Sequence, residues 1–386
     1  MAKVYWKRSK GADFVANLFE YLEWRGDLTF EQSELNEVDS LILSWFSYTA
    51  LDGIIPADCS ETDTITIKEA AEQFFLTHDL DKILNESISF TRSCVLLLQK
   101  LAQTPRFQSL QLTGFVNCID YQQETQFCAM TILLRRNRTI VVFRGTDDTL
   151  IGWKEDFNMS FLPVIPAQTM ALSYLENVAE KIKGKLYIAG HSKGGNLAIY
   201  AGVRSSYRVR KRILTIFNND GPGFYDLNGL GSAYEEMLPK IKTYVPESTI
   251  VGMLLERSGD YTVVKSSKKW LYQHDAMSWE VMGTHFITLE AISPASETFR
   301  DIVQSWLKGL SKEERERFVD TLYGILETTQ AKSLEDLNAE KGKIANLVLR
   351  EITELDKETR GMLTKIITTL FKEGNLALKS NKKKNK

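Results

Sequence analysis

Apolar positions recur at helical spacing through the opening of the chain. Residues 12–25 and 35–50 read as helices, and in the second Val38, Leu41, Ile42, Trp45 and Phe46 share one face. Residues 67–104 are also helical in pattern, with Leu96, Leu97, Leu98 and Leu101 near the end. This stretch, 1–104, carries no chemical signature and reads as a helical region packed on the core, as scaffold or lid. The period then changes. Residues 110–120 and 126–135 look like strands joined by the polar turn YQQET. Residues 138–144 (RTIVVFR) are apolar on both faces, which suits a central buried strand. A helix at 168–183, a strand at 185–190, a helix at 194–206 and strands at 212–218, 241–245 and 261–265 follow. Strand–helix alternation with short connections implies an α/β unit over 105–300, a mainly parallel sheet with helices on both faces.

Past residue 300 the pattern is helical again, so 301–386 reads as a helical C-terminal extension. Ser311 and Glu314 have the spacing of a capping box, and Phe318, Leu322 and Leu326 form a stripe. A second start is signalled by Ser333 with Asp336, and the chain closes on SNKKKNK. From 341 onward the net charge is +7. A solvated basic tail is the plain reading, and weak contact with an anionic membrane surface the sharper one. No aromatic residues interleave the tail lysines, which argues against stacking on nucleic acid.

Composition narrows the class. With 48 basic and 50 acidic residues, no global excess points to a nucleic-acid or membrane partner. Cys59, Cys94, Cys118 and Cys128 are widely spaced, with no CxxC pair and no Cys/His cluster of zinc spacing, so no metal site is expected. The first residues are basic but lack an apolar run behind them, and no stretch of about 18 apolar residues exists to span a bilayer. The expectation is a cytoplasmic protein with free thiols. Oligomeric state is not legible.

The informative segment is KLYIAGHSKGGNLAIYAG. A strand ends at Gly190, then His191, Ser192, Lys193, Gly194 and Gly195 precede a helix. This is G-x-S-x-G in the context its chemistry requires. A nucleophile must stand clear of the sheet on a very tight turn, and side chains at Gly190 or Gly194 would collide with the neighbouring strand and helix. Ser192 would then lie at a helix N-terminus, which favours developing negative charge. A chance GxSxG in a loop is the bland alternative.

A serine needs a base. His78 precedes the sheet, and His191 cannot curl back onto its neighbour's hydroxyl, so it reads as a supporting or packing residue. His274 and His285 both follow the last strand, and His274, in the loop LYQHDAMSW, is favoured. His285 reads as a partly buried structural histidine. For the acid, Asp220 directly follows strand 212–218, while Glu247 after 241–245 is the alternative; either could instead bond local N–H groups in a turn. Oxyanion donors would be the N–H of Lys193 and of Thr146, which follows strand RTIVVFR. Thr146 and the acids beside it would also suit a helix cap before LIGWKEDF.

With these pieces the chain resembles class 3, fungal-type lipases, where FRG-Ser/Thr and a following GW-x-x-D precede a GHSxGG elbow. Here those stretches are Phe143 to Thr146, Gly152 to Asp156, and Gly190 to Gly195. More closely it resembles the bacterial Mbeg-like family of α/β-hydrolases, through YLEWRGDLTF, NEVDSLILS, GHSKGGNLA, NDGPGF and QHDAMSW. The resemblance spans most of residues 15–290. It implies an α/β-hydrolase fold, to which the residue pattern adds helices at both ends, and a serine hydrolase acting on a small-molecule or lipid-like carboxylic ester, without cofactor. A thioesterase or peptidase on the same residues, or a non-catalytic binding protein on this fold, are the alternatives. One departure matters. In class 3 lipases the aspartate follows the strand matching 241–245, whereas Ser248 to Gly252 holds no carboxylate. An acid at the end of the preceding strand, as in some pancreatic-type lipases, would restore the triad with Asp220.

Overall fold

The computed structural model describes residues 16–86, 89–135, 137–147, 149–327, 357, 360 and 361. Helices α1 (Leu18–Arg25), α2 (Glu37–Phe46), α3 (Ile67–Thr77), α4 (Leu80–Glu86) and α5 (Ser89–Leu101) precede the main run of strands. The first two start where capping boxes dictate, Asn17 with Glu20 and Asn36 with Asp39. The strands are β1 (Ile65–Thr66), β2 (Gln111–Asp120), β3 (Thr125–Leu134), β4 (Arg138–Phe143), β5 (Lys185–His191), β6 (Ile213–Asn219), β7 (Ile241–Pro246), β8 (Tyr261–Val264), the hairpin β9 (Val281–Met282) and β10 (His285–Phe286), and β11 (Thr288–Leu289). Between and after them lie α6 (Leu150–Asn158), α7 (Pro166–Lys181), α8 (Lys193–Arg204), α9 (Tyr207–Arg210), α10 (Ser232–Met237), α11 (Pro294–Gly309) and α12 (Lys312–Glu327).

One sheet runs in the order β1-β2-β3-β4-β5-β6-β7-β8-β11. Its centre, β4 through β8, is parallel, and both flanks are antiparallel. The alternation of β4 sorts the two cores. Ile140 and Val142 join a cluster with Leu41, Trp45 and Leu98, while Val141 and Phe143 join one with Leu175, Val178 and Leu197. Helices α1, α2 and α5 therefore cover one face and α7 and α8 the other. This three-layer arrangement, with a strand–turn–helix at β5 and α8, is the α/β-hydrolase fold.

The N-terminal layer is keyed by a buried charge pair. Arg106 Nε and Nη2 donate to the two oxygens of Asp39 at 2.9 and 2.6 Å, and its remaining N–H groups donate to the carbonyls of Leu28, Ser33 and Glu34. Tyr21 donates to the same aspartate at 2.8 Å. At the sheet margin β1 pairs only two residues of β2, and the preceding loop takes over: Phe115 N–H donates to Pro56 O and the Thr113 hydroxyl meets the carbonyls of Asp58 and Asp63.

Toward the C-terminus, α12 starts at the box formed by Ser311 and Glu314 and packs on α6. Arg315 donates to Ser160 O, and Lys154 pairs with Asp320. The side chains of Phe318, Leu322 and Leu326, the start at Ser333, and the basic tail lie outside the described residues. Among the described residues no helix is long and apolar enough to cross a membrane.

Candidate active site

Strand β5 ends at His191 and α8 begins at Lys193, leaving Ser192 alone in the turn with φ 57° and ψ −134°. A non-glycine residue rarely adopts this backbone, and such outliers concentrate at functional sites. The glycines make the turn possible by close approach. A Cβ at Gly190 would stand 2.1 Å from the Gly194 carbonyl, and one at Gly194 2.1 Å from the Phe143 carbonyl. Ser192 N–H donates to Asn219 O at 3.0 Å, fixing the elbow to the end of β6. The backbone N–H of Lys193 falls in the first turn of α8, where no intrahelical acceptor exists.

His274 and Asp220 meet. His274 Nδ1 lies 2.7 Å from Asp220 Oδ2, with the histidine half-buried and the aspartate buried. Asp220 sits just beyond β6, also at positive φ, 54°, with its N–H donating to Tyr244 O. Its second oxygen accepts from the Thr249 hydroxyl at 2.5 Å, and that hydroxyl accepts from Gly252 N–H. Gly252 is required there, since a Cβ would stand 2.4 Å from Asp220 Oδ1. The loop bearing His274 is held by neighbours on both sides. Gln273 accepts from Ser248 N–H, and Trp279 donates to the Gln273 carbonyl. The Ser192 hydroxyl has no hydrogen-bond partner among the described residues. Nucleophile–base contacts are commonly long until a substrate draws them in.

The loop after β4 packs on the nucleophile: a Cβ at Gly145 would come within 2.9 Å of Ser192 Cβ. Next to it, the Thr146 hydroxyl donates to Asp156, 2.7 Å from each oxygen. The hydroxyl is thus committed to a carboxylate. The helix cap expected at this point falls three residues later, on Thr149, whose hydroxyl accepts from Gly152 N–H. Beneath the loop, the buried Lys193 ammonium donates to Glu155 Oε2 at 2.6 Å and to the main-chain and side-chain oxygens of Gln126. Asp156 is a second carboxylate 3.8 Å from the same ammonium. Burial pushes Asp156 up to about 6 against the opposing pull of Lys193 and Thr146.

The other candidates are elsewhere. Glu247 makes main-chain contacts to Val264 and Ser293, with no side-chain contact to His274. His285 is not partly buried but exposed, its Nδ1 2.6 Å from Glu37 Oε1 on a two-strand hairpin. Burial is lost there because His285 ends a tight turn at Gly283. His78 caps the end of α3, stacked on Phe74. Among the described residues no group of three or more His, Cys, Asp or Glu side chains is arranged to hold a metal. Sequence reasoning missed Thr249, Gln126, Glu155 and Tyr48, which meets His191 at 3.1 Å. None carries a local signal, because each acts through a partner far away in the chain.

A family model described as Mbeg1-like matches residues 101–324. No curated protein matches the chain. Among solved structures, one described as the crystal structure of M37 lipase is similar at 14% identity and a TM-score of 0.35, covering 57% of this chain and 70% of that one.

Proposed function

The chain belongs to the Mbeg1-like family, and from the geometry of its elbow we propose that it is a serine hydrolase acting on carboxylic esters. The observation that carries this reading is the 2.7 Å contact between His274 and the buried Asp220, beside a serine held at φ 57° on a strand–helix turn. Asp220 has no solvent to stabilise its charge, so it serves as a fixed acceptor that directs the proton of His274 onto Nδ1 and leaves Nε2 to take a proton.

In this reading Ser192 attacks the ester carbonyl while His274 takes its proton. The tetrahedral oxyanion is held by the N–H groups of Lys193 and Thr146. His274 then returns the proton to the leaving alcohol, and water repeats the sequence on the acyl-enzyme. The Lys193 ammonium stays bound beneath the loop and takes no part in the bond changes. A lipid-like ester is the substrate class the family resemblance favours. A cytoplasmic location remains the expectation from the sequence, as does action without metal or cofactor.

A fluorophosphonate probe tests this directly. Wild type should be labelled and should hydrolyse p-nitrophenyl esters, and Ser192→Ala should do neither while unfolding as wild type does. Equal labelling of both proteins would move the nucleophile. A folded wild type that takes no label and cleaves no ester would make this fold a binding scaffold.

A further inference from the structure

The residue before the nucleophile has partners of its own. His191 is buried, and its Nε2 lies 2.9 Å from the backbone carbonyl oxygen of His274. A carbonyl oxygen has no hydrogen to give, so the proton in this contact belongs to Nε2. Burial, with the neighbouring His274 next in weight, holds His191 well below the ordinary histidine range. The ring is neutral at pH 7 and Nδ1 keeps a lone pair. The Tyr48 hydroxyl, 3.1 Å away, donates to it. Burial raises Tyr48 well above the usual phenol range, so that proton is retained.

The same hydroxyl reaches the loop on the other side of the nucleophile. A Cβ at Gly145 would stand 2.2 Å from its oxygen, so the hydroxyl is packed directly against this loop. Trp45 meets the His191 ring edge to face at 5.1 Å, which fixes the ring plane. The His191 and His274 rings lie 4.5 Å apart.

We propose that Tyr48 and His191 are positioning residues for the hydrolase site, hydrogen-bonding the elbow to the backbone of His274 while Tyr48 packs against the oxyanion loop. The kinetic consequence rests on the hydrolase reading, and the geometry does not. Asp220 fixes the His274 ring at Nδ1, and His191 fixes its main chain. With one anchor the ring pivots; with two, Nε2 has a defined position toward Ser192. Catalytic groups must be held to about 0.5 Å, so the second anchor counts. The N-terminal helical layer thereby contributes a working side chain, Tyr48, two residues past α2.

The test uses the full chain. Tyr48→Phe and His191→Phe should each lower kcat on a p-nitrophenyl ester by about tenfold with KM within about twofold. His191→Gln, whose amide N–H can reach the same carbonyl, should recover to within about threefold of wild type. The double Tyr48→Phe/His191→Phe variant should be no slower than His191→Phe alone, since both changes break one chain of contacts. Unchanged kcat with only a lower unfolding midpoint, a glutamine no better than phenylalanine, or additive losses would each overturn the proposal. Nitrogen-15 spectra of the wild-type imidazoles at pH 7 provide a readout independent of activity. A neutral His191 protonated at Nε2 is expected, and a proton on Nδ1 or on both nitrogens overturns the assignment whether or not the protein cleaves esters. A wild type that cleaves none overturns the hydrolase reading and the kinetic half of this proposal, leaving the tautomer to decide the geometric half.

Discussion

Each helical layer holds a buried cation–carboxylate pair, and the two are built differently. In the N-terminal layer, five N–H groups of Arg106 meet five acceptors, two of them on Asp39. One positive charge faces one negative charge, and the pair is closed. Beneath the elbow, Lys193 faces Glu155 at 2.6 Å, but a second carboxylate, Asp156, waits 3.8 Å away and holds the Thr146 hydroxyl. One positive charge is shared between two negative ones, one of them half-buried beside the candidate oxyanion loop. A closed pair specifies structure, whereas an unbalanced one couples charge to the site next to it.

The comparison breaks most visibly at Arg106. Arg106→Met should lower stability by about 3–5 kcal/mol, because it strands the Asp39 carboxylate in the core. Activity per folded molecule should stay near wild type. Denaturant unfolding with parallel assays checks both, and a stability loss under about 1 kcal/mol would mean the pair is not closed. Lys193→Met should cost about as much or slightly less, since Asp156 can take up a proton. It should also slow turnover by about tenfold through the disturbed loop. A Lys193 variant that is destabilised yet turns over normally would make the two pairs equivalent.

The smallest effect sharpens the contrast through pH. Asp156 is raised from 3.8 to about 6 in the folded chain. Between those values the unfolded chain releases its proton first, so this group's contribution to stability is full below 3.8 and is lost as pH rises to about 6. The slope is at most about 1.4 kcal/mol per pH unit. Asp156→Asn keeps an acceptor for Thr146 and removes the charge, so the variant should gain on wild type as pH rises through that window. Unfolding curves at pH 4 and pH 6.5 measure the difference, and parallel pH dependence in the two proteins would mean that Asp156 titrates alike in the folded and unfolded chains.

What was legible depended on distance along the chain. The elbow is a local motif, so Gly190, Ser192 and Gly194 announce their own geometry. The parallel strands announce themselves through RTIVVFR and KLYIAG, where both faces are apolar. Chain order narrows the base to His274 or His285 and the acid to Asp220 or Glu247, and it takes the fold to bring His274 against Asp220. The opening helices read as helices, but their place as a whole face of the sheet does not, since periodicity reports which side of a helix is apolar and not what covers it. Thr249 and Tyr48 were invisible for the same reason: their partners Asp220 and His191 lie 29 and 143 residues away. For Lys193 the motif points only to its backbone N–H as an oxyanion donor, and only the fold places Glu155 and Gln126 around its ammonium.

The two ends of the sheet have a consequence for crowded solutions. An open sheet offers its outermost strand as a template on which another chain can add. Here both outermost strands, β1 and β11, are two residues long. Next to β1, the backbone of β2 is already engaged by the carbonyl of Pro56, and the register slips between Thr113 and Val116. A visiting strand pairing on β1 or on β11 would find about one pair of hydrogen bonds. Among the described residues the sheet therefore ends at both margins on two-residue strands, too short to template strand-by-strand growth into fibrils at high concentration.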